Sequence, residues 1–466
     1  MTKYAQFLQT AKEILGDQGF VDATDAAEFL TDITGTGLSC LFVARPSNTE
    51  QVARIVSLCH KTGVAIVPQG GNSNVCHMAV PTEDKPTILL SLSRMARILD
   101  INAARGTATV EAGCIMEVLQ EAVAAEGLVF APDWGARGTA TVGGAVATNG
   151  GGLNVLRFGT TREQVLGVEV VLADGRVWNG LRALIKDNSG YDLKQLFIGS
   201  EGTLGILTKL TFRLHPAQPY VRSMFASLCD ASRLMEFLTM ARSLGGEKLT
   251  AFELLPALGV EKSLARYPAL KRPCETRSDW YLLVRMSDRE DVGEALTALF
   301  EAGFETGIIS DAVMASSEAQ EKNLWEIREQ MIPHQYFGSY KMMKWDVSVP
   351  VDQIISFLEA AEIAIHDIDA TAFAYAVGHV GDGNIHLSAY TTKTNTAEQT
   401  ATRIYDRIDA LVWDFCGSIV AEHGVGSLYR DRVQSQKGTL EYEMLQRLKA
   451  CFDPDGLLNP GKLVNM

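Results

Sequence analysis

Ala131-Pro-Asp-Trp-Gly-Ala-Arg-Gly-Thr-Ala-Thr-Val-Gly-Gly-Ala-Val-Ala-Thr-Asn-Gly-Gly-Gly152 is built almost wholly from glycine, alanine and threonine. Side chains this small cannot fill a core, but they let the backbone come close to a flat or charged ligand. Two further stretches of the same kind flank it. Pro68-Gln-Gly-Gly-Asn-Ser-Asn74 follows the apolar run Val64-Ala-Ile-Val67, and its backbone N–H groups suit an anion such as a pyrophosphate. Asp187-Asn-Ser-Gly-Tyr-Asp-Leu193 leads into Gly199-Ser-Glu-Gly-Thr-Leu-Gly-Ile206. Each loop alone also reads as an ordinary turn. Three of them within about 140 residues point to one large ligand cradled by backbone.

The segments between the loops alternate strand and helix. Gln6 to Gly35 reads as short amphipathic helices, with Leu8, Ala11, Ile14 and Leu15 at helical spacing. Leu41–Ser47 reads as a strand, and Ser47 with Glu50 as a capping box. Val52, Ile55, Val56 and Cys59 make one face of the next helix, which Gly63 stops. Strands over Ile88–Leu92 and Thr107–Ala112, a helix over Cys114–Gly127 and a hairpin turning at Asp174-Gly175 complete an α/β arrangement. After Pro216 the pattern changes. Strands over Asp279–Met286 and Met343–Pro350, with helices over Glu290–Ala302 and Asn323–Glu329, predict an α+β domain with an antiparallel sheet. Leu440–Phe452 reads as a last helix.

Within that second half, Tyr375-Ala-Val-Gly-His-Val-Gly-Asp-Gly-Asn-Ile-His-Leu-Ser-Ala-Tyr390 reads as a hairpin around Gly381-Asp382-Gly383-Asn384. A four-residue loop there puts Val380 opposite Ile385 and His379 opposite His386. Opposed strand residues have Cβ atoms roughly 4.5–5.5 Å apart, which lets two imidazoles share a metal ion at about 2.0–2.1 Å each. Two histidines flanking a turn are also commonly plain hydrogen-bonded residues. In Ala421-Glu-His-Gly-Val-Gly426, Glu422 offers an oxygen ligand and His423 an imidazole suited to general-base work.

The 466 residues allow two to four domains, and a net charge of −14 provides no basic field for nucleic acid. A small anionic substrate needs only local Arg or Lys. The eight cysteines form no CxxC and no dense framework, which suits a reducing compartment. The N-terminus lacks a secretory pattern and no apolar run is long enough to span a bilayer. These features predict a cytoplasmic protein without a transmembrane segment, with peripheral membrane contact left open.

Arg45-Pro46, Pro68-Gln-Gly-Gly-Asn72, Thr141-Val-Gly-Gly-Ala-Val-Ala-Thr-Asn149, Gly199-Ser-Glu-Gly-Thr-Leu-Gly-Ile206 and Asp453-Pro-Asp-Gly-Leu-Leu-Asn-Pro-Gly-Lys462 stand in order along the chain. Together they resemble the FAD-linked oxidases of the vanillyl-alcohol-oxidase type. Within that family the chain is similar to the D-2-hydroxyacid dehydrogenases acting on D-lactate, D-2-hydroxyglutarate or glycolate. The resemblance covers residues 38 to 466. Asp133-Trp-Gly-Ala-Arg-Gly138 and Asn154-Val-Leu-Arg-Phe-Gly159 lean to the D-2-hydroxyglutarate group.

The resemblance implies an α+β protein with a PCMH-type two-subdomain FAD-binding fold over 38–217. A helical segment over 1–37 precedes it. A substrate cap with the metal site spans 218–430, and 431–466 returns to the FAD domain. It implies non-covalent FAD on Pro68, Gly70, Gly71, Asn72, Ser73, Pro132, Thr141, Gly143, Gly144, Thr148, Asn149, Gly151, Ile206 and Asn459. Covalently flavinylated relatives use a His or Cys in these loops, and neither Cys76 nor His77 stands where that bond is expected. His379, His386 and Glu422 match the ligands of a divalent metal, zinc first, and His423 matches the base. Arg328 and Lys344, with Lys341 competing, match the groups that bind substrate carboxylate. Two positions depart from the hydroxyglutarate pattern: Ile332 replaces a hydroxyl residue and Ser388 an asparagine. Both changes alter the pocket's polar contacts.

The implied reaction is oxidation of a D-2-hydroxyacid, with proton loss to His423 and hydride transfer to flavin N5. D-2-hydroxyglutarate stands ahead of D-lactate. Electrons would pass to an electron-transfer flavoprotein, a quinone or a cytochrome, and a homodimer fits the family. The other readings are a subunit of a glycolate-oxidising complex and a zinc-dependent hydrolase.

Overall fold

The strand Phe42–Ala44, the helix Thr49–Thr62 and the strand Ala65–Gln69 follow one another as the sequence pattern requires. In this computed structural model, which describes residues 3–331, 336–394 and 396–465, Val52, Ile55, Val56 and Cys59 form the helix's buried stripe. The helix is capped one residue later than expected. Asn48 accepts from Gln51 N at 2.9 Å, and the Gln51 side chain reaches back to Ser47 N at 2.8 Å. The box therefore uses Gln51 rather than Glu50. Gly63 ends the helix at φ +67°, where a side chain would be strained.

Two compact units share the chain: Met1–Gly152, Gly159–Pro216 and Glu422–Met466 in the first, and Leu153–Phe158 with Ala217–Ala421 in the second. The first unit holds two sheets. One orders Phe20–Asp22, Phe42–Ala44, Thr87–Ser91 and Ala65–Gln69, its last three strands parallel. The other is antiparallel and orders Val177–Gly180, Val165–Val171, Ile206–Arg213, Thr107–Glu111 and Ile98–Asn102. A single apolar cluster, including Ile55, Ile66, Val110, Val146, Phe197 and Phe212, joins them. The C-terminal residues extend the first sheet: Ile66 N donates to Leu457 O at 2.8 Å, and Asn459 N donates to Ile66 O at 2.7 Å.

The N-terminal expectation needs correction. Only Lys3–Leu15 is an α-helix. Beyond Gly16, which takes φ +66°, the chain forms the edge strand Phe20–Asp22, and a small strand pair at Thr31–Asp32 and Gly35–Thr36. Glycine at Gly16 and Gly19 breaks the helical run, and the open edge of Phe42–Ala44 recruits the next residues as a strand.

The second unit is organised by a seven-stranded antiparallel sheet. Its order is Ile309–Met314, Tyr220–Leu228, Trp280–Asp288, Leu249–Pro256, Phe373–His379, Asn384–Thr392, Tyr340–Ser348. Side chains alternate between faces. One face carries Phe252, Leu254, Leu282, Val284, Leu387, Trp345 and Val347, all buried. Helices Leu234–Gly245 and Ala397–Asp414 lie on that side, as Phe237 against Phe252 and Tyr405 against Trp345 show. The opposite face carries Glu253, Lys344, Asp346, His379, Asn384, His386 and Ser388, as the strand register fixes.

Candidate functional site

The hairpin that carries both candidate metal histidines has its loop at 380–383. Its register differs from the one expected: His379 pairs with Asn384, Gly378 with Ile385, and His386 with Val377. Gly383 at φ +94° and Asn384, whose Nδ2 bonds Asp346 Oδ1 at 2.8 Å and Val347 O at 2.9 Å, draw Asn384 into the ladder. The pairing moves by two positions in sum, so no side chain changes face. His379 and His386 become diagonal neighbours, ring centroids 5.3 Å apart and nearly perpendicular at 85°.

Each imidazole meets an acid that sequence reasoning missed. His379 Nδ1 lies 2.7 Å from Glu253 Oε1, and His386 Nδ1 lies 3.4 Å from Asp346 Oδ1. Glu253 Oε2 also takes Arg328 Nε at 3.0 Å. Burial alone pushes the Glu253 carboxyl up, but its interactions with His379 and Arg328 override that and hold it well below the ordinary carboxylate range. Glu253 was hidden in a fully buried, mostly apolar strand, Leu-Thr-Ala-Phe-Glu-Leu-Leu-Pro. The one available signal was a single acid inside a buried run.

The two candidate lysines separate by parity. Lys344 pairs with Ser388 on the histidine face. Lys341 lies on the opposite face, with its Nζ 2.6 Å from Glu398 of helix Ala397–Asp414. Ser388 is buried beside Tyr375 and Lys344 in the register. Ile332 lies outside the described residues.

In the first unit several glycines of these loops lie tight against neighbouring atoms. A Cβ on Gly71 would stand 1.8 Å from Thr139 O, one on Gly70 2.3 Å from Thr141 Oγ1, and one on Gly143 2.6 Å from Ala112 O. Thr141 caps the helix Val142–Thr148, and Asn149 ends it at φ +54°. The Asn149 carboxamide oxygen accepts from Thr160 Oγ1 and Arg162 N, tying loop to loop. Thr148 spends its hydroxyl on Gly144 O, and Ile206 buries its side chain in the core. Pro132 O accepts from Gln120 Nε2.

Among the described residues, three buried polar atoms around these loops have no protein partner: Asn72 Oδ1, Asn74 Nδ2 and Asn459 Oδ1. Buried amides are seldom left so unless a ligand completes them. With the glycine cradle, they fit a large polar cofactor. Cys76 and His77 are committed elsewhere. Cys76 Sγ donates to Gly424 O at 3.0 Å, and His77 Nδ1 meets Thr34 Oγ1 at 2.9 Å and Asp32 Oδ1 at 3.3 Å.

Glu422 and His423 belong to this unit. Glu422 Oε2 accepts from Gly152 N at 2.8 Å, and Glu422 Oε1 lies 3.6 Å from His423 Nε2. The turn after them is pinned by Glu201, whose oxygens accept from Val425 N at 2.6 Å and Gly426 N at 2.8 Å. Just upstream, Val420 bridges to Asp346 and Ala421 N donates to Asp346 O at 2.8 Å.

Burial pushes the Glu201 carboxyl up to about 7, although the Val425 and Gly426 N–H groups and Lys462 pull the other way. A carboxyl raised in the folded state stabilises it fully below its ordinary value of 4.5, and that stability is lost as pH rises to about 7. The loss amounts to roughly 3 kcal/mol. Thermal unfolding followed from about pH 5 to pH 7 is therefore expected to weaken, and Glu201→Gln to flatten that slope. A slope unchanged by the substitution would assign it to other groups.

The chain is similar to known proteins over most of its length. Residues 40–180 match the family model described as FAD binding domain, and residues 216–463 match FAD linked oxidases, C-terminal domain. A mitochondrial D-2-hydroxyglutarate dehydrogenase of Bos taurus is 35% identical over 90% of this chain and 76% of its own. A D-2-hydroxyglutarate dehydrogenase of Xanthomonas citri pv. viticola is 34% identical over 91% of this chain and 89% of its own. A Schizosaccharomyces pombe protein named for D-lactate dehydrogenase is 33% identical over 99% and 91%. Among solved structures, p-cresol methylhydroxylase with substrate bound superposes with TM-score 0.76 at 17% identity, covering 99% of this chain and 97% of its own. The 4-ethylphenol oxidase of Gulosibacter chungangensis gives TM-score 0.76 at 18% identity with the same coverage. The two structures speak to the fold, and the sequence relatives to the lineage. The chain belongs to the FAD-linked oxidase family, on the branch that holds the D-2-hydroxyglutarate and D-lactate dehydrogenases.

Proposed function

We propose that this chain oxidises a D-2-hydroxyacid to the 2-oxoacid, with D-2-hydroxyglutarate ahead of D-lactate. The observation that carries the reading is the polar face of the cap sheet. There two histidines, each backed by a buried acid, share a surface with Lys344, and Arg328 is tied to the same acid as His379. The relatives that span most of the chain carry names of this activity. FAD is held without a covalent bond; the commitments of Cys76 and His77 support this. His379, His386 and Glu422 would hold a divalent ion. Two nitrogens and one oxygen suit zinc. Bound FAD supplies the two-electron acceptor, and a bound divalent ion supplies Lewis acidity.

The chain's own side chains do the rest. His423 takes the C2 hydroxyl proton on a ring nitrogen, work that an imidazole suits near neutral pH. Arg328 and Lys344 bind carboxylate oxygens and fix which face of C2 is presented. Lys344 Nζ makes no ion pair or hydrogen bond among the described residues, so its charge is available to substrate. Lys344→Met is expected to raise KM for D-2-hydroxyglutarate about 10–100-fold, the effect of losing a charged hydrogen bond. Lys341→Met is expected to leave KM within about twofold. Equal KM changes in the two variants would remove Lys344 from the site.

Ser388, and Ile332 in the sequence, are smaller or less polar than the hydroxyglutarate pattern, which keeps D-lactate as the second reading. A zinc hydrolase leaves the FAD-binding domain without a task. Among described helices, none is long and apolar enough to cross a membrane. An electron-transfer flavoprotein, a quinone or a cytochrome receives the electrons. The deciding experiment is anaerobic mixing of the metal-replete flavoprotein with D-2-hydroxyglutarate, D-lactate and their L forms. Bleaching of the flavin band by one D form is expected. A yellow protein that none of them bleaches would end this reading.

A further inference from the structure

Glu253 belongs to no motif that pointed to function. It is 1% exposed, and both its oxygens are committed, one to His379 Nδ1 at 2.7 Å and one to Arg328 Nε at 3.0 Å. A carboxylate buried this deeply is tolerated only when paired. Glu253 divides itself between two residues with different proposed tasks, one toward the metal and one toward substrate.

We propose that Glu253 is a positioning residue that couples metal ligation by His379 to carboxylate recognition by Arg328. The inference rests on the functional reading above. A carboxylate at Nδ1 favours the Nδ1–H tautomer, which leaves the Nε2 lone pair for an ion and fixes the ring plane. The same carboxylate takes Arg328 through Nε alone. No described residue bonds the two Nη groups, which remain as a planar fork for a second carboxylate. Asp346 repeats half of the device at His386: its Oδ1 lies 3.4 Å from Nδ1, and Asn384 Nδ2 holds it at 2.8 Å.

The test uses the FAD-loaded full chain, stripped of metal by a chelator and titrated with Zn2+ in the absence of substrate. Glu253→Gln is expected to weaken Zn2+ binding about 10–100-fold, the usual effect of losing such a partner, and to raise KM for the hydroxyacid in the same variant, with FAD content retained. If the glutamine variant does not accumulate folded, Glu253→Asp keeps the buried charge but is one methylene too short to serve both partners. It is expected to weaken Zn2+ binding or raise KM by about tenfold. Zn2+ affinity and KM both unchanged in a folded variant would overturn the inference. A variant that changes KM alone would reduce Glu253 to an arginine partner and overturn the coupling. A parent protein that binds no Zn2+ would end the metal reading itself, and this inference with it.

Discussion

His423→Ala is expected to leave the protein yellow and to slow flavin reduction by the hydroxyacid about 10³-fold, within the range that a positioned general base contributes. The main chain of the turn that carries His423 is fastened on its own account. The His423 carbonyl accepts from Cys76 Sγ, and the next N–H groups are fastened to Glu201. Removing the side chain therefore removes the proton acceptor while the turn, Glu422 and the glycine loops keep their places. Stopped-flow mixing under anaerobic conditions separates this outcome from lost binding. A base defect lowers the limiting reduction rate, whereas lost binding raises only the substrate concentration needed to reach it. A variant that reduces its flavin at the parent's limiting rate would take His423 out of the chemistry.

The glycine-rich loops were legible because small residues in long runs have few other uses, and Gly71 against Thr139 O shows why nothing larger is tolerated there. The sheet face was legible too, since the expected register and the observed one differ by two in sum, which keeps His379 and His386 on one face in both. What the sequence could not supply were partners across strands. Glu253 and His379 are 126 positions apart and meet only because Leu249–Pro256 lies beside Phe373–His379. The choice between Lys341 and Lys344 likewise needed the parity of Tyr340–Ser348 relative to its neighbour. The N-terminal error has the same root. Phe20–Asp22 is a strand because the edge of Phe42–Ala44 offers unpaired backbone groups, a fact that lies outside its own residues.

If a divalent ion sits at His379, His386 and Glu422 as proposed, stripping it with a chelator is expected to lower turnover about 10³-fold or more while FAD stays bound, and added Zn2+ is expected to restore it. Lewis-acid assistance to an alcohol is worth several kcal/mol, and no neutral side chain on the histidine face replaces it. His386→Ala should reproduce the loss without rescue. Two imidazoles and a carboxylate, with no thiolate among them, do not impose a soft-metal site, so Co2+ and Mn2+ are expected to restore part of the activity. The order of rescue carries information of its own. Recovery that follows affinity alone would put Zn2+ above Co2+ and Mn2+. Recovery that favours the harder ion at saturating metal would mean that extra oxygen ligands, from Asp346 or from substrate, complete the sphere. Full turnover in a protein proven free of metal would leave the two histidines as substrate hydrogen-bond donors, and the hydroxyl proton would then leave by His423 unaided.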